Sequence, residues 1–142
     1  MQIQRYRSRL SGPLLDRIDL HVEVPPVRVE DIQRAEPGES SAAVKERVNA
    51  ARRIQTLRFA EDQTIYCNAQ MGSKLIKEHC PLDEHSTRLL HQAIDRLGLS
   101  ARAYTRILKI GRTIADLERA EKISSTHIAE AIQYRRMQYG DR

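Results

Sequence analysis

The stretch Leu99-Ser100-Ala101-Arg102-Ala103-Tyr104-Thr105-Arg106-Ile107-Leu108-Lys109-Ile110-Gly111-Arg112-Thr113-Ile114-Ala115-Asp116-Leu117 reads as one helix. Ser100 is a side-chain cap, because its hydroxyl can accept from an amide that the first turn leaves without a partner. Ala103, Tyr104, Ile107, Ile110, Ile114 and Leu117 recur at the period of 3.6 that puts them on one side. Arg102, Arg106, Lys109 and Arg112 fall on or near another common side.

The same signals extend in both directions. Asp83 caps a preceding helix carrying Leu89, Leu90, Ala93, Ile94 and Leu97, and Gly98 stops it. A short helix from Ser73 to His79 ends at Cys80-Pro81. Ser40 or Ser41 opens a helix running to about residue 60, with Val44, Val48, Ala51 and Leu57 near one face. Lys45, Arg47, Arg52, Arg53 and Arg58 lie mostly on the rest of its circumference. Residues 63–70 link these two helices. Ser124 or Ser125 opens the last helix, with Ile128, Ala131 and Ile132 inward, and the tail from Met137 is expected to fray. The expected fold is mainly α, a bundle of four or five helices from residue 40 onward.

The N-terminal part reads differently. Residues 1–10 are basic and lack a period, and Leu14-Leu15-Asp16-Arg17-Ile18 can form one or two helical turns after Ser11-Gly12-Pro13. Leu20-His21-Val22-Glu23-Val24 alternates as a strand does, and Pro25-Pro26 ends it. A lone strand cannot satisfy its own backbone groups, so it implies a sheet that this chain does not otherwise encode. Residues 1–38 are therefore expected to be a truncated remnant of another domain, poorly ordered or paired with another copy. Residues 39–136 form the helical domain and 137–142 the tail.

Composition fits a helical chain. Of 142 residues 40% are hydrophobic and 30% charged, with one Phe and no Trp, so the core rests on Leu, Ile, Val and Ala. The net charge of +5 is compatible with a nucleic-acid or other acidic partner. Cys67 and Cys80 make no disulfide framework, and His79, Cys80, His85 and His91 lack metal-ligand spacing. No signal peptide or membrane-length apolar run occurs, which makes the cytoplasm the expected location.

No chemistry of the chain's own is evident. Gly72-Ser73-Lys74 lacks the first glycine and the preceding strand of a phosphate-binding loop, and the serines sit at helix caps rather than on a nucleophile elbow. The arginines remain. Arg17 stands between a short apolar turn and the strand, and Arg102 in the first turn of its helix. Composition favours a solvated helix face, and the alternative is a set of phosphate ligands, for which a planar, permanently charged guanidinium is well suited.

A resemblance to a known family narrows the choice. The run Tyr6-Arg7-Ser8-Arg9-Leu10-Ser11-Gly12-Pro13-Leu14-Leu15-Asp16-Arg17-Ile18-Asp19-Leu20-His21-Val22-Glu23-Val24-Pro25 resembles magnesium-chelatase-like AAA+ ATPases of the ComM (YifB) type. So do Gly38-Glu39-Ser40-Ser41, Leu97-Gly98-Leu99-Ser100-Ala101-Arg102-Ala103-Tyr104, the run from Arg106 to Leu117, and Ala129-Glu130-Ala131-Ile132-Gln133-Tyr134-Arg135. The resemblance implies the helical lid of an AAA+ ring ATPase, preceded by the end of its core, without the Walker A and B segments. It implies no catalysis by this fragment and no bound cofactor, but ATP and magnesium in the full-length protein. Leu15-Asp16-Arg17-Ile18-Asp19 resembles the turn that gives an arginine finger to the neighbouring subunit, which makes Arg17 the candidate. Ser100-Ala101-Arg102-Ala103 resembles the sensor-2 segment, which makes Arg102 the candidate contact to the γ-phosphate. The implied partners are the rest of the core, neighbouring ring subunits and DNA, in branch migration during natural transformation. Two other readings stand beside it: a free-standing basic module binding nucleic acid or protein, and a chelatase subunit acting on a tetrapyrrole enzyme.

Overall fold

The Ser40 hydroxyl accepts from the Ala43 amide at 3.2 Å and starts α1, Ser41–Arg58. A computed structural model describes residues 14, 17–22, 24–28, 38–62 and 64–135. Within them a single-turn 3-10 helix, Asn68–Gln70, leads into α2, Ser73–His79. Three longer elements follow: α3, Glu84–Leu97; α4, Ala101–Leu117; and α5, Ser125–Gln133. The expected bundle is found, with five α-helices among the described residues.

Local chemistry sets the helix ends. The Asp83 carboxylate accepts from the Ser86 amide at 2.7 Å. Gly98 closes α3 at φ 59°, a left-handed conformation in which a side chain would be strained. Ser100 caps α4 through the Ala103 amide at 3.3 Å. Before α5, the Ser124 amide donates to His127 Nδ1 at 3.0 Å, which leaves Nε2 of the neutral ring to donate to Glu118 at 2.9 Å.

α4 is the central helix. It packs against α5, α1, α2 and the 3-10 turn, while α3 packs on α5. Ile107, Leu108, Ile114 and Ala115 are all buried along it, and Leu90 of α3 and Ile128 of α5 are fully enclosed. Gly111 lets α5 come close, because a Cβ there would stand 3.0 Å from Ile128 Cδ1. The expected apolar face was too narrow: a helix covered on two sides also buries Leu108 and Ala115.

α1 departs further from expectation. Its residues 41–49 are exposed all round, Val44, Val48 and Leu57 among them, and its buried residues are Ala51 and Gln55. The inward side is chosen by polar contacts. The Gln55 side chain accepts from the Asn68 amide at 3.1 Å, and Arg58 joins a buried carboxylate on α4.

The expected strand is absent: Leu20, His21, Val22 and Val24 have no strand pairing, and Glu23 lies outside the described residues. With no partner strand among the described residues, the segment finds hydrogen bonds on the bundle instead. The His21 amide donates to the Tyr134 carbonyl at 2.7 Å. Residues 17–21, within the part expected to be poorly ordered or paired with another copy, are bound here by Arg106 of α4 and by Tyr134 and Arg135 just after α5. The short turn before them is described only at Leu14 and Arg17, where the Arg17 amide donates to the Leu14 carbonyl at 3.0 Å. The expected fraying from Met137 lies outside the described residues. No described helix is long and apolar enough to cross a membrane.

Candidate functional site

The exposed flank of α4 forms one wall of a cleft of about 620 Å³, completed by α5 and by Asp19 and Leu20 of the docked segment. Its floor is apolar, from Ile110, Ile114 and Leu117, and Arg102, Arg106 and Lys109 stand along one side. Glu130 of α5 and Tyr134 just after it stand on another, with the Tyr134 hydroxyl donating to Glu130 at 3.1 Å. That carboxylate pushes the Tyr134 phenol above its ordinary range.

The four basic residues of α4 have four different employments. Arg102, in the first turn, is exposed, and no hydrogen bond or ion pair of its guanidinium occurs among the described residues. Arg106 donates from Nη1 to the Arg17 carbonyl at 2.8 Å and to the Asp19 carboxylate. Lys109 donates to the Ala69 carbonyl at 2.7 Å and braces the 3-10 turn. Arg112 does not belong to a solvated face, being only 4% exposed. Its Nη groups donate to the carbonyls of Ala120 and Glu121 at 2.6 and 2.8 Å, and its Nε to Asp116 at 3.1 Å.

Asp116 is the centre of a buried polar knot. Its carboxylate accepts from Arg58 Nη1 and Nη2 at 2.6 and 2.5 Å and from Asn68 at 2.8 Å, besides Arg112. Asn68 also donates to the Thr113 hydroxyl at 3.1 Å. Burial pulls the Arg112 guanidinium below its ordinary range, and Asp116 opposes that. Burial likewise pushes the nearby Cys80 thiol up to about 11. The knot ties the end of α1 and the 3-10 turn to α4, so it fixes the helix that carries Arg102. The clue in the sequence was Arg112 and Asp116 four residues apart within an otherwise apolar run.

Both candidate arginines are exposed, but they are held differently. Arg102 belongs to a long capped helix, whereas Arg17 belongs to an irregular turn held at its backbone. The Arg17 carbonyl accepts from Arg106, the Ile18 carbonyl from the buried Arg135, and the His21 amide donates to Tyr134. The structure therefore joins the main chain at Arg17 to the helix of Arg102 through Arg106, one turn further along α4. Asp19, Arg135 and Tyr134 join this site only through the fold, since no local pattern in the sequence marks them. Among the described residues no three His, Cys, Asp or Glu side chains converge as metal ligands.

Comparison with known proteins adds the family. The family model for the C-terminal part of magnesium chelatase subunit ChlI matches residues 38–135, and that for magnesium chelatase subunit ChlI matches residues 1–32. Competence protein ComM of Haemophilus influenzae is 46% identical over 137 residues, covering 96% of this chain and 26% of that protein. YifB of Salmonella typhimurium is 45% identical and YifB of Escherichia coli 43%, each across 94% of this chain and 26% of the relative. The chain thus spans about a quarter of the length of these curated relatives. With a model match across most of its length, the chain belongs to the magnesium chelatase ChlI C-terminal family.

Proposed function

We propose that this chain is the lid of a longer AAA+ ATPase that works as a ring, and that Arg102 reads the nucleotide phosphate there. The observation that carries the reading is the uncommitted guanidinium of Arg102 in the first turn of α4, at the rim of a cleft lined by Arg106 and Lys109. A helix start favours anions through its free amides and its dipole, and a guanidinium adds paired donors. The cleft is suited to phosphate and not to magnesium. Its carboxylates are Asp19, which accepts from Arg106, and Glu130, which accepts from Tyr134. Magnesium would be held by the core, where it supplies charge stabilisation to phosphoryl transfer.

In this reading residues 1–38 are the end of the AAA+ core, residues 39–136 the lid, and 137–142 a tail. Arg102 orients the nucleotide, and loss of the γ-phosphate releases its hold on the lid, a form of domain closure around a ligand. Arg17 serves the neighbouring subunit as an arginine finger, since an exposed turn at an edge can reach across an interface. The similarity to a competence protein supports DNA processing over chelatase chemistry on a tetrapyrrole enzyme, and within this proposal the work is branch migration in the cytoplasm.

The test is steady-state ATP hydrolysis by the full-length protein carrying Arg102→Ala. A loss of kcat/KM of at least about tenfold, with the oligomer intact, agrees with a phosphate contact. Wild-type kinetics would refute the assignment. Binding of DNA by residues 38–135 alone, with no ATPase dependence on Arg102, would favour a free-standing basic module.

A further inference from the structure

The backbone around Arg17 is gripped from α4 and from the residues just after α5. Arg106 Nη1 donates to the Arg17 carbonyl at 2.8 Å and to the Asp19 carboxylate, so one guanidinium holds both flanks of residue 18. Arg135, 6% exposed, donates to the Ile18 carbonyl between them. The His21 amide donates to the Tyr134 carbonyl at 2.7 Å. These contacts leave the Arg17 side chain exposed while fixing the main chain that carries it. Arg106 is also one helical turn from Arg102, and both line the same cleft.

We infer that Arg106 is a positioning residue, clasping the Arg17 turn through Asp19 and the Arg17 carbonyl onto the helix that bears Arg102. This rests on the proposed roles of Arg17 and Arg102 and adds a physical link between them within one subunit. The clasp is partly exposed, with side-chain exposures of 25% for Arg106 and 56% for Asp19, so its worth is geometric rather than a large share of stability. Geometry is what a finger arginine needs. A finger contributes about 10³–10⁵ in rate, and a misplacement of about 1 Å can cost about 10²-fold. A shift of α4 when Arg102 engages phosphate would be carried to Arg17 by this clasp. The state of one subunit's lid would then set its finger against the neighbour's nucleotide.

The experiment is a double-mutant cycle in the full-length protein, with kcat and KM for ATP measured for Arg17→Ala, Arg106→Ala and the two combined. The expected result is a fall in kcat of about 10- to 10²-fold for Arg106→Ala with KM unchanged. The double variant should be no slower than Arg17→Ala alone, because the clasp acts only through the finger. A purely structural role would instead multiply the two losses, and that result overturns the inference. A raised KM with kcat preserved also overturns it, by making Arg106 a nucleotide ligand. Should Arg106→Ala fail to fold, Asp19→Asn removes the carboxylate charge at a half-exposed side chain and must show the same dependence on Arg17. Loss of activity in Arg17→Ala with wild-type kcat in both Arg106→Ala and Asp19→Asn sinks the clasp alone. Wild-type kcat in Arg17→Ala sinks the finger reading and the clasp with it.

Discussion

Removing Asp116 is expected to be the most destabilising single change on α4. The side chain is fully buried and takes four charge-assisted or polar hydrogen bonds, two from Arg58 and one each from Arg112 and Asn68. Two cations share this one anion. Asp116→Ala therefore leaves Arg112 and Arg58 uncompensated, with side-chain exposures of only 5% and 13%. Arg112 keeps its two carbonyl partners, but Arg58 and Asn68 lose their carboxylate. Breaking a buried ion pair from one side costs about 3–5 kcal/mol, a large fraction of the roughly 5–15 kcal/mol that holds a domain together. With a urea m-value of about 1–3 kcal/mol/M, the unfolding midpoint should fall by at least about 1 M. The assay is urea denaturation followed by far-ultraviolet circular dichroism. Glu84→Ala, which breaks an exposed pair with Arg88, serves as the control. A midpoint loss no larger than the control's would refute the claim that this knot ties α1 to α4. Replacing Asp116, Arg58 and Arg112 together by apolar residues should recover much of the loss, because no buried charge then remains.

Three further outcomes follow from the geometry. Ser100→Ala removes the cap at the start of α4 and should cost about 1 kcal/mol of unfolding free energy, read from the same urea curves. The Cys80 thiol, 4% exposed and pushed up to about 11, should resist iodoacetamide at pH 8 in the native protein; mass spectrometry should find it alkylated only after unfolding. The Ser86 amide holds the Asp83 carboxyl below its ordinary 3.8, so its capping contribution is present above that value and fades as pH falls through it and below. Asp83→Asn should flatten the dependence of the thermal midpoint on pH in that acid window.

Helix positions were legible because their signals are local. A Ser or Asp marks the starts of α1, α3, α4 and α5, and Gly98 marks a stop whatever the tertiary fold. What the sequence hid is tertiary. α1 turns Gln55 and Arg58 inward because Asn68 and Asp116 await them, which no apolar period can reveal. Arg112 looked like part of a wet stripe because amphipathicity assumes one buried face, while α4 is covered on two. The alternation at Leu20 to Val24 was real, but a strand needs a neighbour, and here the backbone pairs with Tyr134. The Arg106–Asp19 contact joins residues 87 positions apart and leaves no local trace. The two candidate arginines were found through resemblance and residue chemistry, and the clasp between them only through the fold.

The most direct test of the lid assignment is a calorimetric titration of Mg-ATP into this chain and into the full-length protein. Saturable binding is expected of the full-length protein, weakened by Arg102→Ala, and no detectable binding of the chain alone, whose cleft offers cations without a nucleotide core. Tight, saturable binding by the isolated chain, abolished by Arg102→Ala, would contradict it by showing a complete site within these 142 residues.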